Sequence, residues 1–107
     1  ESEALRMAVL QHILFFKLQN YSLQDIEKLQ EQVKIIQERV PGILFGSFEQ
    51  AALNVHYGHK NRTRGYTHNL VVIFKDGESL KGYVPHQEHL NFKKLIIPFV
   101  AEPPICI

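Results

Sequence analysis

Residues 8–18 read AVLQHILFFKL, a stretch of apolar, β-branched and aromatic side chains with no glycine or proline inside it, and so a β-strand. Alternation splits it into two rows: Leu10, His12, Leu14, Phe16 and Leu18 on one face, Val9, Gln11, Ile13, Phe15 and Lys17 on the other. Both rows are apolar in the middle. A sheet built around this strand therefore needs a cover on each face, and that double demand decides the fold.

Outward from it, Ser22 is a good N-cap, with Asp25 three residues on as a short-armed capping box. Leu23, Ile26, Leu29, Val33, Ile36 and Val40 then recur every three or four residues, opposite a polar side of Gln24, Glu27, Lys28, Glu31, Gln32 and Glu38. This amphipathic helix ends at Pro41-Gly42. Residues 43–55, ILFGSFEQAALNV, read as a second strand, with Gly46 and Ser47 allowing a bulge or a close backbone approach. A polar, basic loop, GHKNRTRG, joins it to THNLVVIFK at 67–75, the clearest strand, with the turn signal Asp76-Gly77 after it. Here His68, Leu70, Val72 and Phe74 share one face and Thr67, Asn69, Val71 and Ile73 the other.

A short helix over Glu78–Val84 is interrupted by Pro85 and resumes from Gln87 to Ile97, before Pro98. Pro103-Pro104 opens a final edge strand, Ile105-Cys106-Ile107. Residues 1–7 are set aside as a leader, which leaves one domain over 8–107 with the order β-α-β-β-α-β. The simplest packing is α+β: a four-stranded antiparallel sheet in a split βαβ arrangement, both helices on one face.

Two helices leave the second face, with Val9, Ile13, Phe15, Val71 and Ile73, open to water. Each such side chain left exposed forgoes roughly 1.5–3 kcal/mol, against a whole-domain stability of about 5–15 kcal/mol. A second copy packing sheet on sheet, as a C2 homodimer, removes that cost.

The helix-covered face carries His12 and His68 in otherwise apolar rows, and the corner GYVPHQEH adds Tyr83, His86 and His89. An aliphatic pocket with imidazoles and a phenol at one end suits proton transfer on a carbonyl compound: a base titrating near neutrality takes a proton while a phenolic donor holds the oxyanion. Leu10, Leu14, Leu70, Val72 and His86 are the expected ligand contacts.

The opening LQHILFFK, GYTH at 65–68 with its following strand, and GYVPHQEH at 82–89 with its following helix resemble the stress-responsive A/B barrel (dimeric α+β barrel, Dabb) family. The resemblance covers nearly all of residues 8–107. It implies a ferredoxin-like βαββαβ protomer that pairs into a dimeric barrel. By similarity to a plant polyketide cyclase of that family it implies catalytic roles for His12, His68, Tyr83 and His89. The chain departs from the family in having Gln87-Glu88 between the corner histidines, where proline and a small residue are usual, and the family's acidic residue on the last strand would lie beyond Ile107. The implied function is a stress-response-type barrel binding a small apolar or carbonyl-containing ligand, or alternatively a polyketide cyclase-like lyase.

Composition narrows the alternatives. Hydrophobic residues make up 45% and charged residues 21%, a globular balance, and twelve Lys and Arg against eleven Asp and Glu leave a charge of only +1. The cations of the loop, Lys60, Arg62 and Arg64 with His59, Tyr57 and Tyr66 beside them, are too few and too local for nucleic-acid binding. His56-x-x-His59 and His86-x-x-His89 supply only pairs of imidazoles, so no metal or other cofactor is expected. The single Cys106 forms no intrachain disulfide, and no apolar run reaches the ~18 residues of a membrane span, so no membrane partner is expected and a cytoplasmic location is the default. Asn20-Tyr21-Ser22 and Asn61-Arg62-Thr63 match a glycosylation pattern that has no meaning without secretion.

Overall fold

The computed structural model describes residues 9–51 and 65–106. Within them, β1 (Leu10–Leu18), α1 (Leu23–Arg39), β2 (Ile43–Gln50), β3 (His68–Phe74), α2 (Gly77–Tyr83), α3 (Gln87–Ile96) and β4 (Val100–Cys106) follow one another, with a 3-10 turn at Ile97–Phe99 ahead of β4. The strands form one antiparallel sheet in the order β2-β3-β1-β4, so the two strands nearest the chain's middle and start, β3 and β1, lie inside it. The leader, residues 52–55 of the expected second strand, His56, His59 and the basic loop up to residue 64 lie outside the described residues.

Helix α1 begins as its sequence dictates. The Asp25 N–H donates to Ser22 Oγ (3.1 Å) and the Ser22 N–H to Asp25 Oδ2 (2.8 Å), a reciprocal cap that holds the Asp25 carboxyl below its usual range. Ile26, Leu29, Val33 and Ile36 point into the core, but Leu23 is 71% exposed: as the first helical residue it precedes the stripe that faces the sheet. At the other end Gly42 takes φ +83°, and a Cβ there would collide with the Ser79 side chain of α2. The turn before β2 thus sits directly on α2.

Gly46 permits the close approach of α1: a Cβ at that position would meet Val33 Cγ1 at 3.2 Å. The bulge in β2 falls earlier. Ile43 pairs with Phe74 and Phe45 with Ile73, which leaves Leu44 as the extra residue and turns Phe45 onto the helix-free face. Asp76-Gly77 is a helix start rather than only a turn. The Asp76 carboxylate accepts from the Ser79 N–H (2.9 Å) and hydroxyl (2.7 Å), so α2 begins at Gly77. The last strand is longer than its sequence indicates, running from Val100 with Pro103 and Pro104 inside it. An edge position tolerates two missing N–H donors.

The helix-covered face holds the core. Phe16, Phe48 and Phe92 meet edge to face, with centroids 6.1, 6.2 and 5.7 Å apart. A polar latch ties α1 to α3 beside them. Glu88 accepts from Gln32 Nε2 (3.0 Å), Arg39 Nη1 (2.9 Å) and Asn91 Nδ2 (3.0 Å), which together hold its carboxyl below the usual range. On the opposite face no helix among the described residues packs. Ile13, Phe15, Val71 and Ile73 are half-buried by their neighbours alone, while Val9, Phe45 and Ile105 stay 59%, 47% and 47% exposed.

Candidate functional site

Antiparallel pairing sets His12 opposite Val72 and His68 opposite Phe16, so the two histidines share a face but stand four residues apart along it, about 13 Å at 3.3 Å per residue. They belong to different neighbourhoods. His68 is buried, its ring stacked on Phe48 (5.4 Å) and met edge-on by Tyr21 (5.2 Å), with Nδ1 2.7 Å from Thr67 Oγ1. Its surroundings are complete.

His12 stands instead with the corner residues. Its ring meets Tyr83 edge-on at 6.4 Å, Tyr83 stacks on His89 at 4.1 Å, and Cys106 Sγ lies 3.7 Å from His12 Nδ1. Tyr83 is 1% exposed and its hydroxyl is buried without a hydrogen-bond partner among the described residues. Burial raises its pKa, so the phenol stays protonated and its O–H is available to donate. His89 Nδ1 lies 2.9 Å from the Val84 carbonyl, which can only accept; Nδ1 therefore carries the proton and Nε2 a lone pair. Burial lowers the pKa of His89, opposed by that hydrogen bond and reinforced by the charges of Lys93 and His12. Burial lowers His12 and His68 as well. All three shifts favour the neutral ring.

Beside this cluster a cavity of about 250 Å³ opens between the sheet and α3. Leu14, Phe16 and Leu70 form its floor, and His89, Phe92, Lys93 and Ile96 descend from α3 at helical spacing. Val100 and Pro104 of β4 close one side, and Ile97, 66% exposed, lies at the mouth. Along this side β4 pairs irregularly with β1, with register shifts around Lys17. Apart from His89 and Lys93 its lining is apolar, the character of a ligand pocket rather than of a water site.

Three of the four residues expected to act on a substrate, His12, Tyr83 and His89, therefore stand together, with His89 on the cavity wall and His68 apart. Among the expected ligand contacts, Leu14 and Leu70 line the cavity; Leu10 packs at the margin of the core, Val72 is wholly buried, and His86 caps α3 by accepting the Glu88 N–H on Nδ1 at 3.1 Å. Sequence reasoning missed Phe92, Lys93 and Ile96, although steps of three, four and seven from His89 were the signal. It also missed Cys106 as the neighbour of His12, which only the β1–β4 register reveals.

A four-stranded antiparallel sheet with its helices on one face, a histidine–tyrosine cluster and a cavity beneath the last helix define a ferredoxin-like α+β protein. The stress responsive A/B barrel domain (Dabb) model matches residues 10–103, and the chain belongs to that family. No curated protein matches the sequence. Solved structures that resemble it include a protein from Arabidopsis thaliana, 18% identical over 91% of this chain and 89% of that one with a TM-score of 0.74. The hydroxynitrile lyase of Passiflora edulis is 16% identical over 94% and 93% of the two chains, also at 0.74. A dimeric ferredoxin-like protein of unknown function from Thermobifida fusca is 16% identical over 92% and 87%, at 0.71. At these identities the likeness concerns the fold. No helix among the described residues is long and apolar enough to cross a membrane.

Proposed function

We propose that the chain works as a homodimer, a stress-response-type A/B barrel, in which each protomer binds a small apolar or carbonyl-containing ligand between the sheet and α3. Dimers among the proteins of this fold support the pairing, as does the open face. Its half-buried Ile13, Phe15, Val71 and Ile73, with Val9 exposed beside them, form the patch a second copy would cover, and Phe45 and Ile105 extend it. The observation that carries the ligand reading is the apolar cavity ending at His89, whose Nε2 lone pair has no partner within the chain among the described residues.

A second reading, a polyketide cyclase-like lyase, is favoured by the tautomer of His89. Its Nε2 takes a proton from a carbon next to a substrate carbonyl, the electron pair moves onto the carbonyl oxygen, and the Tyr83 hydroxyl donates to the oxyanion. His12 then positions the substrate, and His68 supports the site from a distance. A hydroxynitrile lyase on the same fold is compatible with such chemistry.

The test is a titration with methyl pentyl ketone followed by amide NMR, on wild type and on Val100→Phe, which fills the cavity from its edge. Saturable shifts at His89, Phe92 and Ile96 that vanish in the variant support the ligand site, and shifts that persist unchanged remove it. Sedimentation of wild type against Val71→Lys tests the pairing: a dimer is expected to become a monomer.

A further inference from the structure

Lys93 follows His89 by one helical turn on α3, and both line the same cavity. The ion pairs among the described residues involve Lys17, Arg39 and Lys81 but not Lys93. The carboxylates nearby are committed elsewhere: Glu88 is turned toward Gln32 and Arg39 of α1, and Glu102 is 3.2 Å from Lys17. Among the described residues no acidic side chain lines the cavity. The charge of Lys93 is felt at His89, where it lowers the affinity for a proton, so the two groups act on the same space. A greasy chamber that carries at its rim an ammonium in no ion pair among the described residues is complementary to a molecule with a short apolar tail and a single negative head.

We propose that the ligand of this cavity is a small carboxylic acid, bound as its anion, with the carboxylate on Lys93 and the hydrocarbon part over Leu14, Leu70 and Ile96. The proposal rests on the ligand site described above and names its chemical class. A volume of about 250 Å³ is that of roughly eight waters at about 30 Å³ each, room for a guest of roughly eight to ten non-hydrogen atoms. A cationic guest is repelled by Lys93, and a neutral one leaves the ammonium unused.

Octanoate and octanol are the probes, titrated by calorimetry at about pH 7, where the acid is ionised. Lys93→Gln is expected to weaken octanoate about fivefold, the upper range for a partly exposed ion pair, and to leave octanol within twofold. Lys93→Glu is expected to exclude octanoate while still binding octanol, and Lys94→Gln, one residue on but off the cavity wall, to change neither. Octanoate bound equally by wild type and Lys93→Gln, with octanol also bound, overturns the anionic class and leaves the cavity as a neutral site. Neither probe bound by any form overturns both the class and the ligand site.

Discussion

His68 and His12 sit on the same face of the same sheet, and burial lowers the pKa of both, yet they have opposite surroundings. His68 is filled in on every side: a stacked Phe48, an edge-on Tyr21 and a hydrogen bond to Thr67. His12 has a weak thiol neighbour and a tyrosine whose hydroxyl is left over. The difference teaches that burial of an imidazole says little by itself. What marks a candidate site is unspent hydrogen-bonding capacity, and here it lies next to the one histidine of the cluster, His89, that lines the cavity.

The comparison breaks most readily at the packed end. Phe48→Ala removes the ring under His68 together with its contacts to Phe16 and Phe92, and should cost about 3–5 kcal/mol of unfolding free energy in urea. At the other end, Tyr83→Phe deletes a buried hydroxyl that bonds to nothing among the described residues, and should stabilise by about 1 kcal/mol. The same variant should lose any proton-transfer turnover. A stabilised protein with turnover intact would count against the lyase reading.

His68→Gln should cost roughly 1–2 kcal/mol through the lost stack and hydrogen bond, whereas His12→Gln should stay within about 0.5 kcal/mol. Equal losses in thermal unfolding would erase the distinction between the two ends. The smallest effect is with pH. His12, His68 and His89 bind protons less readily folded than unfolded. As pH falls below about 6.5 the unfolded chain takes up more protons and stability declines, levelling off below the folded-state values. His12→Gln and His68→Gln should each flatten that decline, measured as the urea midpoint across the acid range, even though they differ at neutral pH.

Much of the fold was legible because its signals are local. The period of two in β1 and β3, the Ser22–Asp25 cap and the Pro41-Gly42 stop each act within a few residues. Asp76 was read as a turn because Asp-Gly serves both purposes, and only the hydroxyl and N–H of Ser79 decide between them. The length of β4 was hidden by Pro103-Pro104, which disfavours a strand everywhere except at an edge, and edges are assigned by sheet order. The candidate site was legible in its residue types but not in its grouping. His12 and His68 look equivalent in a list of inward-facing positions; the register and the path of α3 separate them. The departure at Glu88 also acquires a reason, since its carboxylate is the point where α1 and α3 are fastened.

Gly42 is remote from the chamber in sequence, yet Ser79, the residue it abuts, stands exactly one step of four before Tyr83 on the same side of α2. Any larger residue at that turn would wedge against α2 and tilt it, carrying the phenol away from both imidazoles. The alignment of His12, Tyr83 and His89 is therefore gauged from outside by a missing methyl group, in the turn between α1 and β2.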